Sequence, residues 1–267
     1  MTDIHSPSEK IRVETEDAIA RVLIDNAQRR NAFDFAMWRA LPQILAQIEA
    51  RDDIRVVVLG STPGLPFCSG ADISEFASLR ATSGGGRVYE AANLEAFDAL
   101  AKLSKPTVAA MTGYCMGGGM GLACACDLRI ATEGTLFGIP AGRLGIGYPP
   151  AAMPYVVTAA GQQTALELFF TGRRLDAQEA FSRGFLARLL PKEGFDADVA
   201  ELAKIIAAQA PLTLRAAKAA IRNAIGAPHA PSLGECEALA RVCFDSADFA
   251  EGRMAFLEKR EPKFVGR

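Results

Sequence analysis

The sequence predicts an α/β fold, and three observations carry that prediction. Apolar, β-branched runs of strand length alternate with longer stretches of helical periodicity. Two glycine-centred turns each follow such a run and open onto a helix. From Phe195 onward no convincing strand occurs, so the C-terminal region is expected to be helical.

The elements follow in order. Ala18 to Ile24 and Arg55 to Leu59 read as strands, the second around Val56-Val57-Val58-Leu59. Between them a helix from Phe35 to Ala50 places Met37, Leu41, Ile44, Leu45 and Ile48 on one stripe, with Pro42 expected to bend or interrupt it. The first glycine turn is Phe67-Cys68-Ser69-Gly70-Ala71-Asp72, and Asp72 is placed to cap a helix starting there. Ala81 to Arg87, with three consecutive glycines, reads as a surface loop before a helix from Val88 to Leu103. Thr107 to Met111 is a buried strand that leads into the second turn, Gly113-Tyr114-Cys115-Met116-Gly117-Gly118-Gly119. A small-residue helix from Met120 to Cys126 and a strand from Leu128 to Ala131 come next. Asp176-x-x-Glu179 resembles a capping box whose helix Gly184 closes. Helices separated by Pro211, Gly226 and Pro228 complete the chain, giving a core over residues 1–194 and a helical region over 195–267.

Composition narrows the functional classes. Half of the 267 residues are hydrophobic and 22% are charged, as in a globular enzyme. A net charge of −2 argues against nucleic acid, which calls for a basic surplus. The six cysteines show no paired spacing, and Cys115, Cys124 and Cys126 lie in apolar runs, so reduced thiols and a cytoplasmic location are expected. The two histidines, His5 and His229, are placed for neither a metal cluster nor a Ser-His-Asp triad, and no bound metal is expected. No segment is long and apolar enough to cross a membrane, and the polar start lacks a signal core.

The glycine turns carry the chemistry. A glycine lets a ligand approach the backbone with no Cβ in the way, and first-turn helix N–H groups are ready anion donors. Two such donors from separate turns, converging on one oxygen, would stabilise an enolate or a tetrahedral thioester intermediate.

Both turns, with Asn26-Ala27-Gln28-Arg29-Arg30-Asn31-Ala32, Ala125-Cys126-Asp127-Leu128-Arg129-Ile130-Ala131, Phe137-Gly138-Ile139-Pro140, Thr171-Gly172-Arg173-Arg174 and Glu251-Gly252-Arg253, resemble the crotonase, or enoyl-CoA hydratase/isomerase, superfamily. The resemblance spans nearly the whole chain. It implies a spiral of ββα units followed by a C-terminal helical region that packs at a trimer interface, the trimers often pairing into hexamers. It also implies an acyl-CoA thioester as ligand, with coenzyme A part of the substrate rather than a resident cofactor. The thioester oxygen would lie between the N–H groups of Ala71 and Gly118. The CoA adenine would rest against the backbone near Ala71, Asp72 and Ile73, with Ala32 on the preceding loop and Arg29 and Arg30 near the phosphates, although the two arginines read equally as a solvated turn.

Carried across residue by residue, the family's two hydratase glutamates fall at Gly121 and Ala141, neither of which can transfer a proton. An ordinary two-glutamate hydration is therefore not expected. The remaining candidate is Tyr148, since methylmalonyl-CoA decarboxylases of the superfamily place a tyrosine similarly, although their histidine after the first glycine is Ala71 here. Loss of carbon dioxide leaves an enolate that two N–H donors stabilise without further acid–base help. Tyr148 reads equally as a pocket-wall aromatic whose hydroxyl reaches water or a carbonyl. Arg143 reads as an anchor for a substrate carboxylate or as a surface charge, and Glu75 as facing pocket or solvent. Asp127 is expected to make a structural hydrogen bond, and Lys259 and Lys263 to be a solvated charge run or to reach a neighbour's CoA. A decarboxylase or related lyase is the leading reading. The alternatives are a hydratase or isomerase with another acid or base, and a non-catalytic acyl-CoA carrier.

Overall fold

The computed structural model describes residues 3–79 and 83–267. Its first sheet has six strands in the order β1 (Ile11–Glu16), β2 (Ile19–Ile24), β3 (Val56–Ser61), β4 (Thr107–Met111), β6 (Leu128–Thr132) and β9 (Arg188–Leu190). β1 and β2 form an antiparallel hairpin, and every other pairing is parallel. Asp17 and Ala18 both have positive φ (47° and 66°), as the two-residue turn of that hairpin requires, so Ala18 lies in the turn and not in β2. β5 (Tyr114–Met116), β7 (Leu136–Gly138) and β8 (Leu175–Asp176) make a smaller second sheet.

The spiral comes from repetition. β4 runs into β5 and then α4 (Gly118–Ala125), and β6 runs into β7 and then α5 (Ala141–Leu144). A preceding repeat starts with β3, touches the second sheet at the Cys68–Cys115 bridge and continues through α2 (Phe76–Leu79) to α3 (Ser83–Lys102). Because β3–β4–β6 and β5–β7 pair in parallel, each repeat stacks on the last in one orientation.

Alternation in the strands builds two cores. Val57 and Leu59 face a large cluster with α1 (Phe35–Glu49), α3 and α4, whereas Val56, Val58, Val108 and Ile130 face Phe195, Val199 and Leu202 of α9 (Phe195–Ala207). The expected stripe of α1 is buried, together with Trp38. Pro42 does not interrupt the helix, which runs unbroken through it. A mid-helix proline costs about 3 kcal/mol, which burial of seven side chains on α1 outweighs.

The glycine-rich segment departs from expectation. Gly84, Gly85 and Gly86 belong to α3 and not to a loop, while residues 81 and 82 lie outside the described residues. Packing of Tyr89, Ala92, Ala96, Phe97 and Leu100 into the main core holds the helix against the low propensity of its first turn.

After α5 come α6 (Met153–Ala160), α7 (Gln162–Thr171) and α8 (Ala177–Ser182). Asp176 caps α8 by accepting from the Glu179 N–H at 2.7 Å, but the Glu179 carboxylate pairs with Arg173 and Arg183 instead of closing a capping box. The box is instead complete at Ser232 and Glu235, opening α11 (Leu233–Phe244). α10 (Pro211–Ala224) is tied to the core by Lys218, whose Nζ lies 2.7 Å from Asp127. Asp127 also accepts from the Thr107 N–H (2.8 Å) and hydroxyl (2.9 Å), the structural bond expected of it. Behind α12 (Ala247–Glu258) the tail folds back, with Asp248 accepting from the N–H groups of Val265 and Gly266 and Glu251 from that of Lys263.

Candidate functional site

The two glycine turns meet. Gly70 has φ 112° and Gly117 φ 50°, conformations that L side chains rarely adopt. A Cβ on Gly70 would lie 3.3 Å from the Met116 carbonyl and 4.0 Å from the Gly118 nitrogen. A Cβ on Gly118 would lie 3.8 Å from the Ala71 nitrogen and 2.9 Å from the Trp38 ring. The turns are therefore in backbone contact; a side chain at Gly70 would press on the second turn, and one at Gly118 would collide with Trp38.

Two N–H groups border this contact. The bridge between Phe33 and Ala71 is made by the Phe33 N–H to the Gly70 carbonyl and the Asp72 N–H to the Phe33 carbonyl, each 2.8 Å. Alternation along the chain turns the N–H of Ala71 away from Phe33. Gly118 is the first residue of α4, so its N–H has no acceptor within the helix. The Gly117 N–H, one residue earlier, is taken by the Gly138 carbonyl at 2.8 Å.

The loop before Phe33 packs on the first turn. Ser69 donates to the Arg29 carbonyl through its hydroxyl (3.1 Å) and to the Arg30 carbonyl through its N–H (3.3 Å). Asn31, missed in the sequence, is fully buried and sews the loop together. Its amide donates to the carbonyls of Ile24 and Pro66, and its Oδ1 accepts from the Asn26 N–H. Arg29, Arg30 and Ile73 are exposed on the rim beside Ala71, whereas Ala32 is buried under it. Asp72 caps the short 3-10 turn Ile73–Glu75 through Ser74, and its Oδ2 lies 3.8 Å from the Arg29 Nε. Glu75 faces neither pocket nor solvent alone: its carboxylate accepts from the Phe35 N–H at 2.8 Å, at the N-terminus of α1. Burial raises the pKa of that carboxyl.

At Gly121, where the resemblance would put the first hydratase glutamate, there is no room for a side chain. A Cβ on Gly121 would come within 2.3 Å of the Phe97 ring, which is itself held edge-on between Trp38 and Tyr155. Nothing in the sequence pairs residues 97 and 121. Ala141, at the second position, is buried at the start of α5.

Tyr148 packs its ring edge-on against Phe169, at 5.0 Å between centroids. Its hydroxyl is buried and has no hydrogen-bond partner among the described residues, so the expected contact with a carbonyl is not made. Burial, reinforced by the Cys124 and Cys115 thiols, pushes its pKa well above the ordinary phenol value, so the group stays neutral and acts as a donor. Arg143 is exposed, with its guanidinium against Gly172. Lys259 ends α12 with φ 52°. Burial also lifts the thiols of Cys68, Cys124 and Cys126 to about 12, which leaves them unreactive as nucleophiles.

A cleft of about 810 Å³ runs along the outer side of the two turns, lined by Arg30, Pro66, Gly113 and Tyr114 together with Gly60 and Phe195. Among the described residues no group of three or more His, Cys, Asp and Glu is placed to hold a metal, and no helix is long and apolar enough to cross a membrane.

Comparison with known proteins agrees with this fold. The family model for enoyl-CoA hydratase/isomerase matches residues 14–267. Among relatives, the putative enoyl-CoA hydratase/isomerase YngF of Bacillus subtilis is 33% identical, over 93% of this chain and 95% of its own. The probable mitochondrial enoyl-CoA hydratase 2 of Arabidopsis thaliana is 32% identical, over 98% and 87%. A solved structure described as an enoyl-CoA hydratase/carnithine racemase from Magnetospirillum magneticum superposes with a TM-score of 0.92, at 35% identity and 98% and 97% coverage. The chain belongs to the enoyl-CoA hydratase/isomerase family and has the crotonase fold.

Proposed function

We propose that the protein binds an acyl-CoA thioester and stabilises its enolate between the N–H groups of Ala71 and Gly118. The observation that supports this is the contact of the two turns, which brings one N–H from each to the same place without an acceptor in strand or helix. Two fixed donors aimed at one oxygen need no reorganisation as charge develops there. The rim of Arg29, Arg30, Ala32, Asp72 and Ile73 receives the CoA portion, with coenzyme A entering and leaving as part of the substrate.

The reaction this site suits best is decarboxylation. The bond between Cα and the carboxylate carbon breaks, its electron pair enters the enolate, and carbon dioxide leaves. A proton from water then restores the thioester at Cα. No carboxylic acid is required at Gly121 or Ala141, and the neutral Tyr148 hydroxyl serves to orient the substrate carboxylate before the bond breaks. The names of the relatives support a second reading, hydration or isomerisation of an enoyl thioester through a different acid. Apolar side chains exposed on α10 to α12, among them Ile221, Phe244, Phe256 and Leu257, support assembly as a homotrimer or a dimer of trimers.

Mass spectrometry of methylmalonyl-CoA and crotonyl-CoA, each incubated with the protein and with a heat-killed control, tests the reading. Loss of carbon dioxide from the first with the second untouched is expected. Gain of water on crotonyl-CoA would favour the hydratase reading, and binding without change to either would favour a carrier.

A further inference from the structure

Two buried side-chain polar atoms lack a hydrogen-bond partner among the described residues: the Tyr148 hydroxyl and the Asn93 Nδ2. Leaving a buried donor unmade is costly, and native proteins rarely do so without a reason. Tyr148 was a candidate from its resemblance to a tyrosine of methylmalonyl-CoA decarboxylases. Asn93 had no role in the sequence.

Its place on α3 supplies one. Residues four apart share a helix face, so Tyr89, Asn93 and Phe97 form one row. At one end the Tyr89 hydroxyl accepts from the Trp38 Nε1 at 3.1 Å, and the Trp38 ring touches the place where a Gly118 Cβ would stand. At the other end Phe97 touches Gly121. Asn93 therefore lies between Tyr89, which reaches Gly118 through the Trp38 ring, and Phe97, which meets Gly121 of α4 directly. Its ring neighbours have their polar and apolar contacts made, and its amide does not.

We propose that Asn93 is a specificity-determining residue: its Nδ2 donates to an oxygen carried on the acyl group, so that the preferred ligands are acyl-CoA compounds with a carboxylate or carbonyl beyond the thioester. The proposal rests on the acyl-CoA reading above. The Asn93 Nδ2 is a hydrogen-bond donor, and an aliphatic acyl chain would leave it unpaired. A site built to hydrogen-bond a ligand oxygen rejects an analogue lacking it far more strongly than an apolar pocket discriminates chain length.

The test uses unreactive CoA thioethers, so that turnover does not enter: S-butyl-CoA, S-(2-carboxyethyl)-CoA and S-(3-oxobutyl)-CoA, with binding followed by calorimetry on the full chain. Wild type is expected to bind at least one oxygenated ligand about tenfold or more tighter than the butyl compound, and which one it prefers identifies carboxylate or ketone. Asn93→Leu, of similar volume, should erase about tenfold of that preference and leave butyl-CoA affinity unchanged. Asn93→Asp, which keeps the shape, should reject the carboxylate more than the ketone. Equal binding of all three by wild type would overturn the proposal while leaving the CoA site intact. So would an Asn93→Leu variant, folded by its melting curve, that weakened all three alike. Failure of wild type to bind even butyl-CoA would instead overturn the acyl-CoA reading on which the proposal stands.

Discussion

Gly121 is where the structure makes its most exposed prediction. Adding a methyl group there should destabilise the protein, although glycine to alanine inside a helix ordinarily gains about 1 kcal/mol. The new Cβ would stand 2.3, 2.7 and 2.8 Å from three atoms of the Phe97 ring, against an optimum of roughly 3.5–4.0 Å for carbon pairs. Phe97 is only 3% exposed and is boxed by Trp38 and Tyr155, so the ring has little room to retreat. Overpacking of this kind costs about 1–3 kcal/mol, and the clash lies at the upper end. The net effect of Gly121→Ala is then a loss of about 1–2 kcal/mol, a fall in Tm of about 2–8 °C for a chain of this size. Phe97→Ala alone should cost about 3–5 kcal/mol through its cavity. The double variant should cost less than the sum by about 1 kcal/mol or more, because the added methyl enters space the ring has vacated. Thermal and denaturant melts of the four proteins close the cycle. A Gly121→Ala variant that is unchanged or more stable, or singles that add to within about 0.5 kcal/mol, would refute the packing of α3 on α4. The same geometry means that Gly121→Glu alone should not install hydratase activity, and that Phe97→Ala is the background in which to look for it.

Tyr148→Phe is expected to raise stability by about 1–3 kcal/mol, since it removes a buried hydroxyl with no partner, while decarboxylation falls about tenfold to hundredfold; melting curves and turnover on methylmalonyl-CoA check both signs. Gly118→Ala should lower turnover by about two to three orders of magnitude, because its Cβ would stand 2.9 Å from the Trp38 ring and relieving that clash shifts the start of α4 and its N–H donor, with loss of thioester polarisation read by infrared spectroscopy of a bound acyl-CoA. Lys218→Ala should leave the Asp127 carboxylate without its cation and loosen α10, costing about 3 kcal/mol or more and raising hydrogen exchange across Pro211–Ala224. The Glu251 carboxyl is depressed to about 2 by Arg260 and the Lys263 N–H, so its contribution to holding the tail is complete above the unfolded value of 4.5 and is lost as pH falls toward 2. Limited proteolysis of the tail should accelerate over that window, and Glu251→Gln should remove the pH dependence.

How much of this was legible in the sequence depended on how local the cause was. Long periodic elements were legible: the stripe of α1, the buried strands β3 and β4, and the helix opened by Gly118 follow from side-chain spacing within one segment. The short strands β5, β7 and β9, three residues each, offer too few positions for a period and exist because neighbouring repeats present edges to them. β1 was not read as a strand either, since its residues after Val13 are polar and exposed and only the pairing with β2 holds them. Gly84 to Gly86 were misread as a loop because propensity alone decided the reading, and the burial of the rest of α3 overrode it.

The sequence by itself determined the family, the two glycine turns and the absence of carboxylates at 121 and 141, because those are properties of residue order. Only the tertiary structure decided what occupies the space beside Gly121. Phe97 comes from a different helix, and the contact depends on the angle at which α3 crosses α4. The same holds for Asn93 and Tyr148, whose amide and hydroxyl are ordinary polar groups in the sequence and become unpaired donors only through the packing that encloses them. Burial and the lack of a partner are sums over the whole surroundings of an atom, and no segment of the chain carries that sum on its own.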